Sequence, residues 1–275
     1  MRAGWRGTTL LAMAALCPAA CGNEAGSPRP ERGTMLLATT TSTRDSGVLD
    51  ALLPSFERRS GCTVKTLAVG SGQAMELGER GDADLLLVHS PAAEAEFMVD
   101  GHGATRRAVM HNDFVLVGPP DDPAGVKEAD DAAGALARIA RTDTGFASRG
   151  DDSGTHAKEL SLWEAAGVEP GGSWYVETGQ GMGETLTIAD QKQAYTLTDR
   201  GTFLAIESIQ SELLFQGGAA LRNPYHVIVV RGGGANRACA RAFSAWIIAP
   251  PAQGAIERFG VAEHREPLFV PDAAG

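Results

Sequence analysis

The stretch MLLATTTSTRDSGVLDALLPSFERR (residues 35–59) joins a predicted β-strand to a predicted α-helix through a run of hydroxyl side chains. Its first four residues are a short apolar run, and the apolar residues between Val48 and Phe56 recur at the spacing of one helix face. The same alternation continues with strands at residues 62–69 and 84–89 and helices at residues 74–80 and 91–101. Because strands that alternate with helices pair in parallel, the sequence predicts an α/β fold with helices on the sheet faces.

A second α/β unit follows a proline-rich break at residues 119–123. Apolar strands at residues 113–118 and 225–230 flank this unit, so the chain is expected to leave the first half and return to it. We therefore predict two lobes, made of residues 34–117 plus 227–275 and of residues 118–226. Two crossings make a hinge, and the cleft between the lobes lies at the carboxyl ends of strands, where such sheets bind ligands.

The composition excludes one class of function and leaves another open. The 275 residues include 24 Lys+Arg and 34 Asp+Glu, for a formal net charge of −10, and 43% of them are hydrophobic. This balance is globular, and it argues against a nucleic-acid binder, which needs a basic footprint to neutralise phosphates. A small anion stays compatible as a ligand, because local donors rather than net charge govern a buried site.

The N-terminus has the pattern of an export signal. Residues 1–20 carry a basic start and an apolar stretch too short to span a bilayer, and residues 21–33 have the composition of a flexible tether. The signal also resembles that of bacterial lipoproteins, in which the cysteine after the small residues carries the lipid; here that residue is Cys21, and ordinary cleavage after an alanine is the alternative. An oxidising compartment permits a disulfide between Cys62 and Cys239, which the sequence alone leaves open.

Three polar clusters each follow a predicted strand and precede a helix. They are residues 39–43 (TTTST), residues 70–73 (GSGQ) and residues 148–155 (SRGDDSGT). Hydroxyl groups, helix-terminal N–H groups and the positive end of the helix dipole together favour an anion. Arg149 adds a planar fork suited to oxyanions, which an adjacent aspartate can hold in place. The competing interpretations are helix capping, a Gly-Ser-Gly turn, and a surface ion pair of Arg149 with Asp151 or Asp152.

The sequence offers no enzyme or metal constellation. It contains neither G-x-S-x-G nor S-x-x-K, and its six histidines lack metal-ligand spacing. His156 is adjacent to Thr155, and neighbouring residues on a helix do not face each other, so a solvated or core histidine is expected. The glycines of residues 178–183 lack the full dinucleotide fingerprint and predict a tight turn at a helix start. We expect no catalytic residue, no metal and no cofactor.

Several longer motifs carry a family resemblance. They are residues 37–57 (LATTTSTRDSGVLDALLPSFE), 68–91 (AVGSGQAMELGERGDADLLLVHSP), 110–119 (MHNDFVLVGP), 121–125 (DDPAG), 146–167 (FASRGDDSGTHAKELSLWEAAG), 174–186 (WYVETGQGMGETL) and 194–205 (AYTLTDRGTFLA). Together they resemble the tungstate-binding component of bacterial ABC-type importers, within the two-lobed (type II) periplasmic binding proteins. The resemblance covers about residues 35 to 271.

The resemblance implies a function and a set of site residues. It implies a monomeric, exported receptor, periplasmic or held at the membrane by a lipid, that closes on tungstate and delivers it to an ABC permease and its ATPase. The implied ligand contacts are Thr40, Thr41, Ser42, Ser71, Arg149, Ser153 and Thr155. Backbone groups near Met182 and the segment at residues 196–200 are implied to close the pocket.

Other functions remain open at this stage. Tungstate is an unprotonated dianion, whereas hydrogen phosphate keeps a proton that Asp151 or Asp152 would accept. Molybdate and sulfate are further alternatives within the same class. An exported hydrolase with Ser153 or Ser71 as nucleophile lacks a positioned base, and a membrane-anchored sensory domain is the remaining alternative.

Overall fold

The computed structural model of the chain describes residues 33–273 together with Met1 and Gly4. Apart from those two residues, the predicted signal, the tether up to residue 32 and Cys21 lie outside the described residues. In the part that is described, no helix has the length and apolar character needed to cross a membrane.

Strands and helices alternate along most of the chain. The strands are β1 (Gly33–Thr40), β2 (Cys62–Val69), β3 (Leu85–Val88), β4 (Gly103–Gly118), β5 (Phe146–Ser148), β6 (Tyr175–Glu177), β7 (Thr196–Asp199), β8 (Glu212–Gln216), β9 (Arg222–Val230) and β10 (Val270–Pro271). The helices are α1 (Thr41–Asp45), α2 (Val48–Ser60), α3 (Ser71–Glu79), α4 (Pro91–Val99), α5 (Ala132–Thr142), α6 (Gly154–Ala165), α7 (Met182–Lys192), α8 (Arg200–Ala205), α9 (Arg237–Ile247), α10 (Pro250–Arg258) and α11 (Val261–His264). Short 3-10 helices lie at Val126–Glu128 and Ala219–Leu221.

The main sheet has the order β10-β4-β9-β3-β1-β2. The predicted parallel pairing is confirmed where β1 pairs with β2 and β3, and the α/β fold class is confirmed with it. Strand β9 pairs antiparallel to both β3 and β4, so the sheet is mixed. Strand β4 begins ten residues before the predicted strand at residue 113, because its first half is a partly exposed, charged segment without an apolar run.

The buried apolar side chains of the described residues form two hydrophobic cores. The first core packs on both faces of the main sheet and includes Met35, Phe56, Leu85, Leu86, Phe97 and Phe243. The second core gathers residues of the middle of the chain and includes Phe114, Leu136, Phe146, Trp163 and Leu197, with a smaller cluster of Val115, Val117, Met182 and Leu186 beside it.

Strand β4 contributes to both cores. Up to Asp113 it pairs with β9, and from Phe114 to Gly118 it pairs with β7 and β8. The change from one core to the other therefore falls between residues 113 and 114, whereas the sequence-based boundary lies at residues 117 and 118. The side chains of Phe114 and Leu116 pack into the second core, which accounts for the difference.

A disulfide joins the start of β2 to α9. It links Cys62 and Cys239, whose Cα atoms are 5.9 Å apart, within the range that a disulfide requires. Both residues are buried in the first core. The pairing that the sequence left open is thus made between residues 177 positions apart.

Candidate anion-binding site

The three predicted polar clusters meet between the two cores. The backbone N–H of Gly154 donates to Ser71 Oγ at 3.2 Å, and Arg149 Nη2 donates to Thr41 Oγ1 at 3.3 Å. The first bond joins the start of α3 to the start of α6, and the second joins α1 to the loop that follows β5. The sequence-predicted residues thus come together at one interface, although they lie more than 80 positions apart along the chain.

The hydroxyl run after β1 forms a buried cluster and caps a short helix. Thr40 is the N-cap of α1, and its side chain accepts a bond from the Thr43 N–H at 3.2 Å. Its Oγ1 also lies 2.6 Å from Thr43 Oγ1 and 3.1 Å from Ser42 Oγ. The capping interpretation therefore applies to Thr40, while Thr41 and Ser42 are the hydroxyls of this run that follow the cap.

The second cluster opens helix α3, which starts three residues earlier than predicted. Gly70 precedes the helix in an extended conformation and provides no side-chain cap, so the first N–H groups of α3 are without an intrahelical acceptor. Ser71, which is 2% exposed, stands at the first helical position. A side chain at Gly72 would come within 3.4 Å of the Asp152 carbonyl oxygen, which shows how closely α3 approaches the third cluster.

Arg149 is the buried cation of the site. Its residue is 2% exposed, and Nη2 is paired with Asp151 Oδ2 as well as with Thr41. The second oxygen of Asp151 accepts the Ser153 N–H at 3.2 Å, so the carboxylate holds both the guanidinium and the start of α6. The expected ion pair exists, with Arg149 buried and the Asp151 side chain 17% exposed, so it is partly buried rather than on the surface. Arg149 Nε is buried and has no hydrogen-bond partner within residues 33–273.

The start of α6 adds two further hydroxyls. Ser153 caps the helix, since its Oγ accepts the His156 N–H at 3.3 Å. Thr155 is fully buried, and its Oγ1 lacks a hydrogen-bond partner in the described part of the molecule. His156 is buried, and its Nδ1 accepts the Asp152 N–H at 3.1 Å. Because native proteins pair nearly all buried polar atoms, the unpaired atoms on Arg149 and Thr155 are hydrogen-bonding capacity that a ligand would satisfy.

The glycine-rich stretch at residues 178–183 also reaches the site. Gly181 is the N-cap of α7, and a Cβ there would lie 3.5 Å from Thr41 Oγ1. The predicted helix start is confirmed at Gly181. The first N–H groups of α7 lack a side-chain cap, as those of α3 do, so the starts of these two helices bring uncapped donors to the region around Thr41 and Ser71.

Sequence reasoning missed a buried histidine beside the hydroxyl cluster. His89 follows β3 and is 3% exposed, and its Nε2 lies 3.1 Å from both Thr40 Oγ1 and Ser42 Oγ. Burial lowers the pKa of His89 to about 4, which keeps the ring neutral at neutral pH. A polar residue directly after an apolar strand was the available signal, because the other two clusters of this half begin in the same way.

A buried carboxylic acid lies under the Arg149 loop. Glu159 on α6 accepts bonds from the Tyr175 hydroxyl at 2.7 Å and from the Trp163 indole at 3.1 Å. Burial raises its pKa to about 7, against the lowering effect of these hydrogen bonds. Its charge is therefore sensitive to pH near neutrality.

A cavity of about 460 Å³ opens next to the hydroxyls, between α4, α6 and β9. Its lining includes Ser71, His89 and Ser153 from the site and Lys158 and Arg222 at its outer side. Within residues 33–273, no group of three or more His, Cys, Asp and Glu side chains is arranged to hold a metal ion. The groups around Arg149 are hydroxyl, guanidinium and backbone N–H donors, which suit an anion.

Comparisons with known proteins identify the family of the chain. Residues 25–251 match the family model described as a PBP superfamily domain. The tungstate-binding protein TupA of Peptoclostridium acidaminophilum is 47% identical over 249 residues, covering 88% of this chain and 87% of the relative. The crystal structure of the tungstate ABC transporter from Geobacter sulfurreducens is similar at 45% identity with a TM-score of 0.75, covering 82% of this chain and 98% of that one. The tungstate-binding protein TupA from Desulfovibrio alaskensis G20 is 40% identical with a TM-score of 0.71, covering 88% and 100%.

Proposed function

The chain belongs to the PBP superfamily, and we propose that within it the protein is an exported receptor that binds tungstate and delivers it to the permease of an ABC-type importer. The similar proteins described above bear tungstate-binding names, which supports this ligand. The observation that carries the proposal is that Arg149 Nε and Thr155 Oγ1, both in the third polar cluster, are among the buried side-chain polar atoms of the described residues without a hydrogen-bond partner.

The proposed ligand contacts are seven side chains and the helix starts around them. The side chains are Thr40, Thr41, Ser42, Ser71, Arg149, Ser153 and Thr155. Hydroxyl, guanidinium and backbone N–H groups replace the hydration shell of a tetrahedral oxyanion, and the buried positive charge of Arg149 offsets part of its negative charge. The ligand would then satisfy the polar atoms that the protein alone leaves unpaired.

The carboxylates near the site favour an unprotonated anion. Asp151 has one oxygen bound to Arg149 and the other to the Ser153 N–H, so a bond from the proton of hydrogen phosphate would be a third bond on this carboxylate. The side chain of Asp152 is fully exposed. This arrangement supports tungstate over phosphate, while molybdate and sulfate, which are also unprotonated dianions, remain the alternatives that a titration must separate.

A binding protein rather than a hydrolase is the better interpretation of the two serines. Ser71 Oγ accepts a backbone N–H of Gly154, and Ser153 Oγ accepts that of His156. These bonds are those of a capped helix start rather than of a nucleophile activated by a base. We accordingly propose no catalytic residue and no cofactor other than the transported ligand.

We propose that the two cores are the cores of two lobes that close on the ligand. The hinge would lie where β4 and β9 pass between the cores, and the bonds from Gly154 to Ser71 and from Arg149 to Thr41 support a closed arrangement. A ligand that contacts both lobes stabilises the closed state by its higher affinity for that state. Lipidation at Cys21, a monomeric state and docking on the permease and ATPase are parts of the same proposal.

Isothermal titration of residues 22–275 with tungstate, molybdate, sulfate and phosphate tests the function. We expect tight binding of tungstate and weak binding of sulfate and phosphate, and the molybdate curve measures the selectivity between the two metal oxyanions. Absence of heat and of a thermal shift with all four anions would refute the proposal.

A further inference from the structure

A chain of buried hydrogen bonds runs from the hydroxyl cluster across both crossing strands. His89 Nδ1 lies 2.8 Å from Asn223 Oδ1 on β9, and Asn223 Nδ2 donates to Asn112 Oδ1 on β4 at 2.8 Å. Asn112 Nδ2 then donates to Asp199 Oδ1, at the start of α8, at 3.2 Å. These four residues are all at most 4% exposed. The hydrogen-bond chain therefore joins the predicted anion site to the strands that link the two cores.

The direction of this hydrogen-bond chain is fixed at its far end. Asp199 also accepts the backbone N–H of Thr202 at 2.9 Å and the Thr202 hydroxyl at 2.7 Å. Burial raises the pKa of Asp199, while these bonds and the charge of Arg149 favour the ionised form, which acts only as an acceptor. Asn112 must then present its NH₂ group to Asp199 and its carbonyl to Asn223. Asn223 in turn uses its second N–H on the Tyr225 hydroxyl at 3.2 Å and presents its carbonyl to His89.

His89 is therefore protonated at Nδ1, and its Nε2 is an acceptor. A neutral imidazole carries one donor and one acceptor, and the donor is used on Asn223. The acceptor faces the hydroxyls of Thr40 and Ser42 at equal distances of 3.1 Å. One hydroxyl proton of this pair must be directed to the ring.

Counting donors and acceptors separates the two hydroxyls. Thr40 Oγ1 accepts the N–H of Thr43 at 3.2 Å and lies 2.6 Å from the Thr43 hydroxyl. When the Thr43 hydroxyl donates, these two bonds fill both lone pairs of Thr40 Oγ1. If the Thr40 hydroxyl also donates a hydrogen bond to His89, the hydrogen-bonding capacity of Thr40 is complete and none is left for a ligand. The Ser42 hydroxyl is then free to donate outward.

We propose that His89 is a positioning residue, held by Asn223, Asn112 and Asp199. Its Nε2 accepts a hydrogen bond from the Thr40 hydroxyl, which leaves Ser42 as the hydroxyl that donates to the anion. The inference rests on the proposed function and deepens it, because it assigns different roles to two neighbouring site residues. It replaces the direct ligand contact proposed above for Thr40 by a role within the hydrogen-bond chain. Thr40 is an internal link of the hydrogen-bond chain, and Ser42 contacts the ligand.

Two substitutions of His89 test the roles of its two ring nitrogens separately. In His89→Gln the side-chain carbonyl stands near the place of Nε2 and keeps an acceptor for Thr40, whereas His89→Asn keeps a donor for Asn223 and offers Thr40 no acceptor. We expect tungstate affinity within about threefold of wild type for the Gln variant and about tenfold weaker for the Asn variant, the size of one hydrogen bond to a charged group. His264→Asn, at the end of α11, is the matched control and should bind as wild type does.

The hydroxyls are tested in the same titration. Ser42→Ala removes the hydroxyl that is proposed to contact the ligand and should weaken tungstate binding about tenfold or more. Long-range ¹H–¹⁵N spectra of the wild-type protein read the tautomer of His89 directly, and we expect the Nδ1–H form from pH 5 to pH 8. This spectrum decides the matter even if a variant fails to fold.

The outcomes distinguish this inference from the proposed function. An Nε2–H tautomer, a Gln variant that binds no better than the Asn variant, or unchanged binding in Ser42→Ala would overturn the role of His89. If wild-type protein binds none of the oxyanions, the proposed function fails, and the tautomer of His89 still tests the hydrogen-bond chain by itself.

Discussion

Removal of the Arg149 side chain is the most direct test of the anion site. The guanidinium is 2% exposed and is bound to Asp151 and Thr41, with Nε free within the described residues. In Arg149→Ala the ligand would lose its cation, and the Asp151 carboxylate would face the anion without compensation. We therefore expect a loss of affinity rather than a loss of fold.

The size of the loss follows from the burial of the charge pair. Truncation of one partner of a buried, hydrogen-bonded charge pair costs about 2–5 kcal/mol. Since about 1.4 kcal/mol is a factor of ten, the dissociation constant for tungstate should rise by roughly 30-fold to several thousandfold. Arg149→Lys keeps the charge without the planar fork and should lie between the Ala variant and wild type.

The assay is isothermal titration with tungstate, with thermal unfolding as a check on folding. Arg80→Ala is the matched control, because the Arg80 side chain is 55% exposed in a surface ion pair with Asp82. The double variant Arg149→Ala/Asp151→Asn removes the uncompensated carboxylate and should regain part of the affinity. Affinity within threefold of wild type in Arg149→Ala would refute the assignment of the site.

Three other predictions concern closure, pH and stability. Gly154→Ala places a Cβ 2.5 and 3.0 Å from two serine hydroxyls across the interface, so tungstate affinity in titration should fall about tenfold from overpacking, whereas Gly171→Ala, with open space around it, should leave it unchanged. Burial raises the pKa of Glu159 from 4.5 to about 7, so the folded state binds more protons than the unfolded state between these pH values. Relative to Glu159→Gln, the wild type should lose up to about 3 kcal/mol of unfolding free energy from pH 4.5 to pH 8 in denaturant titrations. A difference between the two proteins that stays constant with pH would contradict this. Replacing Cys62 and Cys239 by serine should lower the unfolding free energy by about 2–5 kcal/mol while tungstate affinity stays the same.

The sequence predicted most of the first half of the fold, because its strands there are continuous apolar runs. The run at residues 35–38 lies in β1, where all but Leu36 are buried, and the run at residues 84–89 contains β3, whose four residues are all buried. The first half of β4 was missed for the opposite reason, since its charged, partly exposed residues give no apolar run. The polar-to-helix transitions at Ser71 and Gly154 were found because turns and caps have local residue preferences.

The roles within the site were less accessible from sequence. Ser153 and Arg149 belong to one local segment, so their proximity was predictable, and so was the help of an adjacent aspartate. The contact of Arg149 with Thr41 joins residues 108 positions apart, and no local pattern encodes it. His89 was missed because its function depends on partners on three other elements.

The sequence by itself determined the strand–helix alternation, the hydroxyl-rich helix starts and the buried-strand pattern, because these depend on residue preferences within a few positions. Only the tertiary structure decided which hydroxyls meet, that the pair of Arg149 with Asp151 is partly buried, and that Cys62 and Cys239 are bonded. The direction of the hydrogen bonds between Asp199 and His89 also required the fold, because the donor and the acceptor of each bond follow from Asp199. Long-range packing brings these groups out of water, where an unpaired polar atom is costly and each remaining partner is therefore specified.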